Sequence, residues 1–148
     1  MNLSQLTQDA KVAIKNSQDI AKSKMHPEIL PEHLFLSLVR SNNGIVTSLL
    51  ENVEKTKSFL ESTLEEELNL FPRVASLPEE VRASPALQNT LLIAQEEQEN
   101  LQDSSLGPEH LFFALLSDDG GLDGDLLKKI NLKKSELYKV LGELRSFA

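Results

Sequence analysis

Apolar or small residues fall at Leu6, Ala10, Ala13, Ile14, Ser17 and Ala21, spacings of three and four that predict an amphipathic helix from Thr7 to about residue 24. The Thr7 hydroxyl is placed to cap it. His26-Pro27-Glu28-Ile29-Leu30 breaks the period, because the residue before a proline is driven out of the helical region. A second helix restarts at Pro31, where a missing N–H costs nothing and Glu32 complements the helix dipole. Leu34, Phe35, Leu38 and Val39 share one face of it to about Arg40, and Ser41-Asn42-Asn43-Gly44 ends it. A short third helix over about 45–53 and a fourth over about 56–70 follow. The fourth carries Leu60, Leu64 and Leu68 inward, with Glu65-Glu66-Glu67 directed mostly to solvent.

The pattern then starts again. Pro-Glu-His-Leu-Phe at Pro31–Phe35 returns at Pro108–Phe112, an offset of 77 positions. The register holds outward in both directions: Thr7 falls on Ser84, Ile14 on Leu91, Gly44 on Gly121, Lys57-Ser58 on Lys134-Ser135 and Leu64 on Leu141. A chance match would not stay in register over so many positions, and a repeat of this kind dictates the architecture. Ser84-Pro85 starts a fifth helix, Pro108 a sixth that closes at Gly120-Gly121, and residues 122–130 a seventh. Leu137, Leu141 and Leu144 face inward from an eighth. No segment alternates as a strand. The expectation is an all-α domain of eight helices, arranged as two pseudo-twofold-related four-helix repeats within a single domain, 1–148. Repeat one is 1–70, an ordered connector with two prolines is 71–83, and repeat two is 84–148.

Charge and composition narrow the partners. A net charge of −8 with scattered Lys and Arg argues against nucleic acid and anionic membranes, both of which need a basic patch. The chain has no cysteine, so neither disulfides nor thiol chemistry can contribute. The start, Met-Asn-Leu-Ser-Gln-Leu, lacks the basic and apolar regions of a secretory signal, and no run of about 18 apolar residues exists, so a soluble, cytoplasmic protein is expected.

Candidate chemistry is sparse. His33 and His110 are related by the repeat and have acids beside them, but no zinc-ligand spacing surrounds either, and structural imidazoles at helix starts explain them better. The stretch from Asp118 to Asp125 fails as a calcium loop, since glycine and isoleucine fall where carboxyl or amide ligands are required. Gly-x-Ser-x-Gly and a Gly-rich phosphate loop ending in Gly-Lys-Ser/Thr are both missing. Glu32 and Glu109 read as dipole complements rather than as an acid–base pair. The reading is not an enzyme, with no metal and no cofactor in this stretch.

The paired Pro-Glu-His-Leu-Phe-x-x-Leu segments, together with the junction from Phe71-Pro72-Arg73-Val74 to Ser84-Pro85-x-Leu87, resemble the N-terminal domain of the Clp/Hsp100 AAA+ unfoldases over essentially all 148 residues. Within that family the junction is most similar to the ClpB (Hsp104-type) disaggregases. The resemblance implies a noncatalytic domain that is monomeric when isolated. In the parent it would be joined to ATPase modules that use ATP and magnesium in a homohexamer. It also implies binding of unfolded or aggregated polypeptides and their delivery to the AAA+ pore. Two other readings stay open: an adaptor-docking domain of a ClpA/ClpC-type protease unfoldase, and a free-standing Clp-like accessory protein. By the same resemblance, the client-binding residues are Thr7 at the start of the first helix, Asp103 before the sixth, and Glu109 in its first turn. Gln95-Glu96-Glu97-Gln98-Glu99-Asn100 departs from the more apolar helix end that the resemblance leads one to expect.

Overall fold

Pro31 and Pro108 open the two helices around which everything else is packed. α2 (Pro31–Arg40) is buried from Pro31 to Val39, and its mate, here α6 (Pro108–Leu116), from His110 to Leu116. Helices buried on every side have lost the polar stripe of a surface helix, which is why both motifs are so continuously apolar. They meet at Phe35 and Phe112, whose rings lie edge to face with centroids 5.8 Å apart. This arrangement suits the aromatic quadrupoles.

The computed structural model describes residues 5–42, 44–51, 53 and 57–146. The remaining helices are α1 (Gln8–Ser23), α3 (Ile45–Leu50), α4 (Lys57–Leu68), α5 (Pro85–Asn100), α7 (Gly124–Ile130) and α8 (Lys134–Ser146). α1 and α4 pack on α2, and α5 packs on α6. Leu60, Leu64 and Leu68 of α4 are fully buried, as their spacing predicts. The expected end of the third helix and start of the fourth fall partly on residues 52 and 54–56, outside the described residues. α7 begins at Gly124 rather than at residue 122, with Asp123 as its N-cap residue.

Two short strands were not expected from the alternation. β1 (Glu28–Ile29) and β2 (Arg82–Ala83) pair in parallel, with Ile29 opposite Ala83. Strands of two residues are too short to show a period of two. The connector is thereby tied to the loop before α2, and Val74 N adds a bond to Met25 O at 2.9 Å.

Repeat-related positions behave alike in detail. Thr7 Oγ1 accepts from Ala10 N, and Ser84 Oγ accepts from Leu87 N, each at 3.1 Å. Met25 and Gln102 both take φ of 58°, the left-handed turn that ends a helix. After them, His26 N bonds Ala21 O at 3.0 Å and Asp103 N bonds Gln98 O at 3.1 Å.

One expectation needs correction. Within Glu65-Glu66-Glu67, only Glu66 is exposed. Glu65 ties three helices together, pairing with Lys24 just past α1 at 2.5 Å and with Arg40 of α2 at 2.6 Å.

Candidate functional site between the repeats

The chain entering α1 lies beside the chain entering α6. Leu6 forms a parallel bridge with Leu106. Leu106 N donates to Gln5 O at 2.8 Å, and Thr7 N donates to Leu106 O at 2.9 Å. Two helix starts are thus fixed side by side, and Thr7 sits next to Gly107, the residue preceding α6. The Thr7 oxygen is used as a cap, which leaves its hydroxyl proton to donate.

Asp103 belongs to the turn after α5. Gln102 reverses the chain, and Gln98 Nε2 holds the Asp103 carbonyl at 3.0 Å. The Asp103 side chain turns toward α6, where Oδ2 accepts from His110 Nε2 at 2.7 Å and from an Arg145 guanidinium nitrogen at 2.8 Å. His110 is oriented for this by its other nitrogen, since Nδ1 accepts from Gly107 N at 2.8 Å and so places the proton on Nε2. Burial works to raise the Asp103 pKa, but the bonds from Arg145 and His110 outweigh it and hold the carboxyl below its usual range.

Glu109 reaches the same guanidinium at 3.7 Å. Its carboxylate folds back over Gly107, where an added Cβ would overlap Oε1. Glycine at this position is therefore a matter of space for Glu109, not of backbone strain. The structure brings Thr7, Asp103 and Glu109 to the junction of two helix starts, all three partly exposed. Arg145 and Gly107, which help to organise the two acids, went unnoticed in the sequence, while His110 was read there as a structural imidazole at a helix start. His110 lies seven residues after Asp103, as His33 lies seven after His26, and that shared spacing was the available signal.

The pseudo-twofold axis carries this trio onto Ser84, His26 and Glu32. Ser84 N donates to Ile29 O at 2.9 Å, repeating the Thr7–Leu106 bond. His33 Nδ1 accepts from Leu30 N and its Nε2 meets His26 Nδ1, each at 2.8 Å. The chemistry has nevertheless been made neutral. An imidazole replaces the Asp103 carboxylate, Leu68 replaces Arg145, and Ser84, His26 and Glu32 are all buried. Leu30 carries a side chain where Gly107 has none. Glu32 instead lies near Glu67 and Asp123, and burial first, then those charges, raises its pKa to about 7. Glu32 is thus no simple dipole complement. Burial, followed by the charges of His26 and Lys24, pushes His33 down to about 3. Burial, then Lys24 and Arg73, lowers His26.

The polar end of α5 has a structural use. Glu97 and Gln98 are buried, and Glu97 takes Lys134 Nζ at 2.5 Å and the Tyr138 hydroxyl. These bonds anchor α8, which in turn presents Arg145. Burial and the Glu97 carboxylate together raise the Tyr138 pKa above its ordinary value. Among the described residues no three metal-ligating side chains gather, and no helix is long and apolar enough to cross a membrane.

Comparison with known proteins places the fold. Residues 5–130 match the Clp repeat (R) N-terminal domain. The chaperone protein ClpB of Bdellovibrio bacteriovorus is 29% identical over 141 residues, covering 95% of this chain but 16% of that protein's length. Among solved structures, the Hsp104 N-terminal domain from Candida albicans superposes with a TM-score of 0.80 at 22% identity, covering 95% of this chain and 91% of that one. A complex of the ClpV N-domain with a VipB peptide does so with a TM-score of 0.75 at 18% identity, covering 93% and 85%. With the duplicated helices, the two buried Pro-Glu-His-Leu-Phe segments and a match over most of its length, the chain belongs to the Clp repeat N-terminal domain family.

Proposed function

We propose that this chain is the noncatalytic, client-binding N-terminal domain of a ClpB-like chaperone. It would capture unfolded or aggregated polypeptide and pass it to AAA+ modules that lie outside these residues. ATP and magnesium would belong to those modules, since no Gly-rich loop here ends in Gly-Lys-Ser/Thr. The observation that carries the reading is the inter-repeat site itself. Thr7, Asp103 and Glu109 offer a hydroxyl donor and two carboxylates on a partly exposed surface, beside two helix starts held in register by the Leu6–Leu106 bridge. Such a surface can meet the backbone and polar side chains of an extended chain. A shallow contact of this kind binds weakly, which suits a module that must release its client.

The test replaces Thr7, Asp103 and Glu109 together by alanine and follows NMR shifts as a permanently unfolded protein is added. The wild-type chain is expected to respond near these three residues to the unfolded client but not to its folded counterpart. Capture unchanged in the triple variant, with helix content intact, would reject the site.

The adaptor-docking reading is favoured by a different feature. A cleft of about 150 Å³ between α1 and the end of α2 is lined by Val12, Asn16, Ser41, Asn42 and Ile45, with Val12 45% exposed. At the related place in the second half, Asn89 and Thr90 bond Asp119 O and Gly120 O and tie the loop to α5. A folded partner whose binding shifts only the α1 cleft would support this reading over the first.

A further inference from the structure

The connector between the repeats is fastened to the first repeat at two ends by different chemistry. At its far end Gln18 Nε2 donates to Val81 O at 2.8 Å, β2 pairs with β1, and Ser84 N donates to Ile29 O at 2.9 Å. None of these bonds involves a group that changes charge near neutral pH. At its near end the connector rests on the turn after α1. Val74 N donates to Met25 O at 2.9 Å, and the Phe71 ring lies edge-on to the His26 ring with centroids 6.3 Å apart. Between the two ends, residues 75–80 are exposed apart from half-buried Leu77 and belong to neither helix nor strand.

The near end depends on an imidazole pair whose acceptor nitrogens are both in use. Leu30 N donates to His33 Nδ1 at 2.8 Å, so the His33 proton sits on Nε2 and is donated to His26 Nδ1, also at 2.8 Å. His26 therefore carries its own proton on Nε2, and the residue is only 2% exposed. Neither ring has a free lone pair for a second proton, and taking one breaks a bond that the fold makes. The surroundings oppose it too. Against His26 burial comes first, followed by the positive charges of Lys24 just past α1 and Arg73 in the connector; together they outweigh the Phe71 backbone, which favours the charged ring. Against His33 burial is followed by His26 and Lys24. The acid bound to Lys24, Glu65 of α4, is shared with Arg40 of α2. His33 is fixed in a buried helix whereas His26 belongs to a turn, so His26 is the ring that can leave.

We propose that the connector is a strap that acid opens at one end. A proton from solvent, taken up at His26 Nδ1, ends the bond to His33. The charged ring turns out to water, and residues 71–80 lift from Met25 while the far end and the helices stay in place. In water an imidazole titrates near 6.5, so the open state binds a proton that the closed state excludes. Opening is therefore suppressed above pH 6.5 and gains up to about tenfold for each unit below it. Only one backbone bond and one ring contact are given up, which makes this a local opening, cheaper than unfolding the repeat. Open, the strap presents Phe71, Val74 and Leu77 beside Leu70, which is already 78% exposed, so acid adds an apolar strip to the surface.

Amide hydrogen exchange of the whole chain at a series of pH values from neutral to mildly acidic, corrected for the intrinsic exchange rate, tests the strap. The Val74 amide should be protected about tenfold less, or weaker still, than the Ser84 amide and the amides of α6, and its protection should fall about tenfold per pH unit below 6.5. Nitrogen shifts of the two rings at neutral pH should show both protonated at Nε2. His26→Asn, whose side-chain oxygen can still accept from His33 Nε2, should flatten the pH dependence and keep the strap closed. Three outcomes would each overturn the proposal: Val74 protection independent of pH, Val74 exchange no faster than that of the α6 amides, or a pH dependence that persists in a folded His26→Asn variant. If that variant fails to fold, the wild-type slope and the ring tautomers still decide. A His26 proton found on Nδ1 at neutral pH would leave Nε2 free to take up a second one without breaking a bond, and so would remove the mechanism.

Discussion

His110 delivers its Nε2 proton to Asp103 at 2.7 Å, a carboxylate, where its repeat-related twin His33 meets another imidazole at 2.8 Å. Both rings are fixed in the same tautomer by a backbone N–H on Nδ1. A single framework therefore presents a charged pair on one side of the pseudo-twofold axis and a neutral pair on the other. The charged side is partly open and the neutral side buried, which follows from the desolvation cost of an ion.

The neutral side makes stability sensitive to acid. Folding holds His33 near 3, well below the 6.5 of a free imidazole, so the folded state binds fewer protons than the unfolded one below pH 6.5. Its contribution is complete above pH 6.5 and is lost as pH falls from there toward 3. Each pH unit in that window costs on the order of 1 kcal/mol. His26 adds to this in the same direction. Its Nε2 is buried without a hydrogen bond among the described residues, and the Phe71 backbone, which favours the charged ring, is outweighed by burial and by the charges of Lys24 and Arg73. Urea midpoints measured in a Glu32→Gln background should fall between pH 7 and 5. A flat profile would contradict the assignment.

Glu32 acts with the opposite sign, which is why that background is needed. Its folded pKa of about 7 lies above the 4.5 of a free glutamate, so its contribution is present below 4.5 and is lost as pH rises through 7. The wild-type profile mixes the two effects. Glu32→Gln should stabilise the chain by about 2 kcal/mol at pH 8 and by much less at pH 5. An equal gain at both pH values would show that ionisation of Glu32 is not its source.

The helices, the repeat and the two central prolines were all legible, because burial writes itself into periodicity and an exact offset. The site was legible only in part. Thr7 could be read as a cap, but the role of Asp103 depends on Arg145, 42 positions away on a helix whose placement is set by Lys134 and Tyr138 gripping Glu97. Long-range partners of that kind leave no local pattern. The same applies to Glu65, whose two cations come from the turn after α1 and from α2, and to the acidic run that hid it. The buried state of Glu32 was equally hidden. Its twin Glu109 has the same neighbours in sequence except for Gly107 in place of Leu30 before the proline.

Arg145→Leu would copy the first repeat, where Leu68 stands. With the guanidinium gone, Asp103 loses one of the two bonds that depress its pKa, and Glu109 loses its nearest cation. The Asp103 carboxyl should titrate closer to the ordinary aspartate range, as followed by carboxyl carbon shifts. Arg145 is 40% exposed, so solvent screening limits the stability loss to about 1 kcal/mol or less. A titration of Asp103 unchanged from wild type would mean that His110 alone sets it.

Gly107→Ala separates the site from the fold. Gly107 has φ of −106°, which any residue adopts, so the backbone gains no strain. The added Cβ meets the flexible end of the Glu109 side chain, which can swing away at little cost. Stability should change by less than about 1 kcal/mol, since the displaced group is partly exposed and loses only a long ion pair to Arg145. The Glu109 carboxylate, however, can no longer lie over the start of α6, where it stands beside Asp103 and Thr7. Binding of an unfolded client should therefore weaken while the urea midpoint stays close to wild type. If Gly107→Ala binds clients as wild type does, the position of Glu109 is irrelevant to capture, and Thr7 with Asp103 must carry the site.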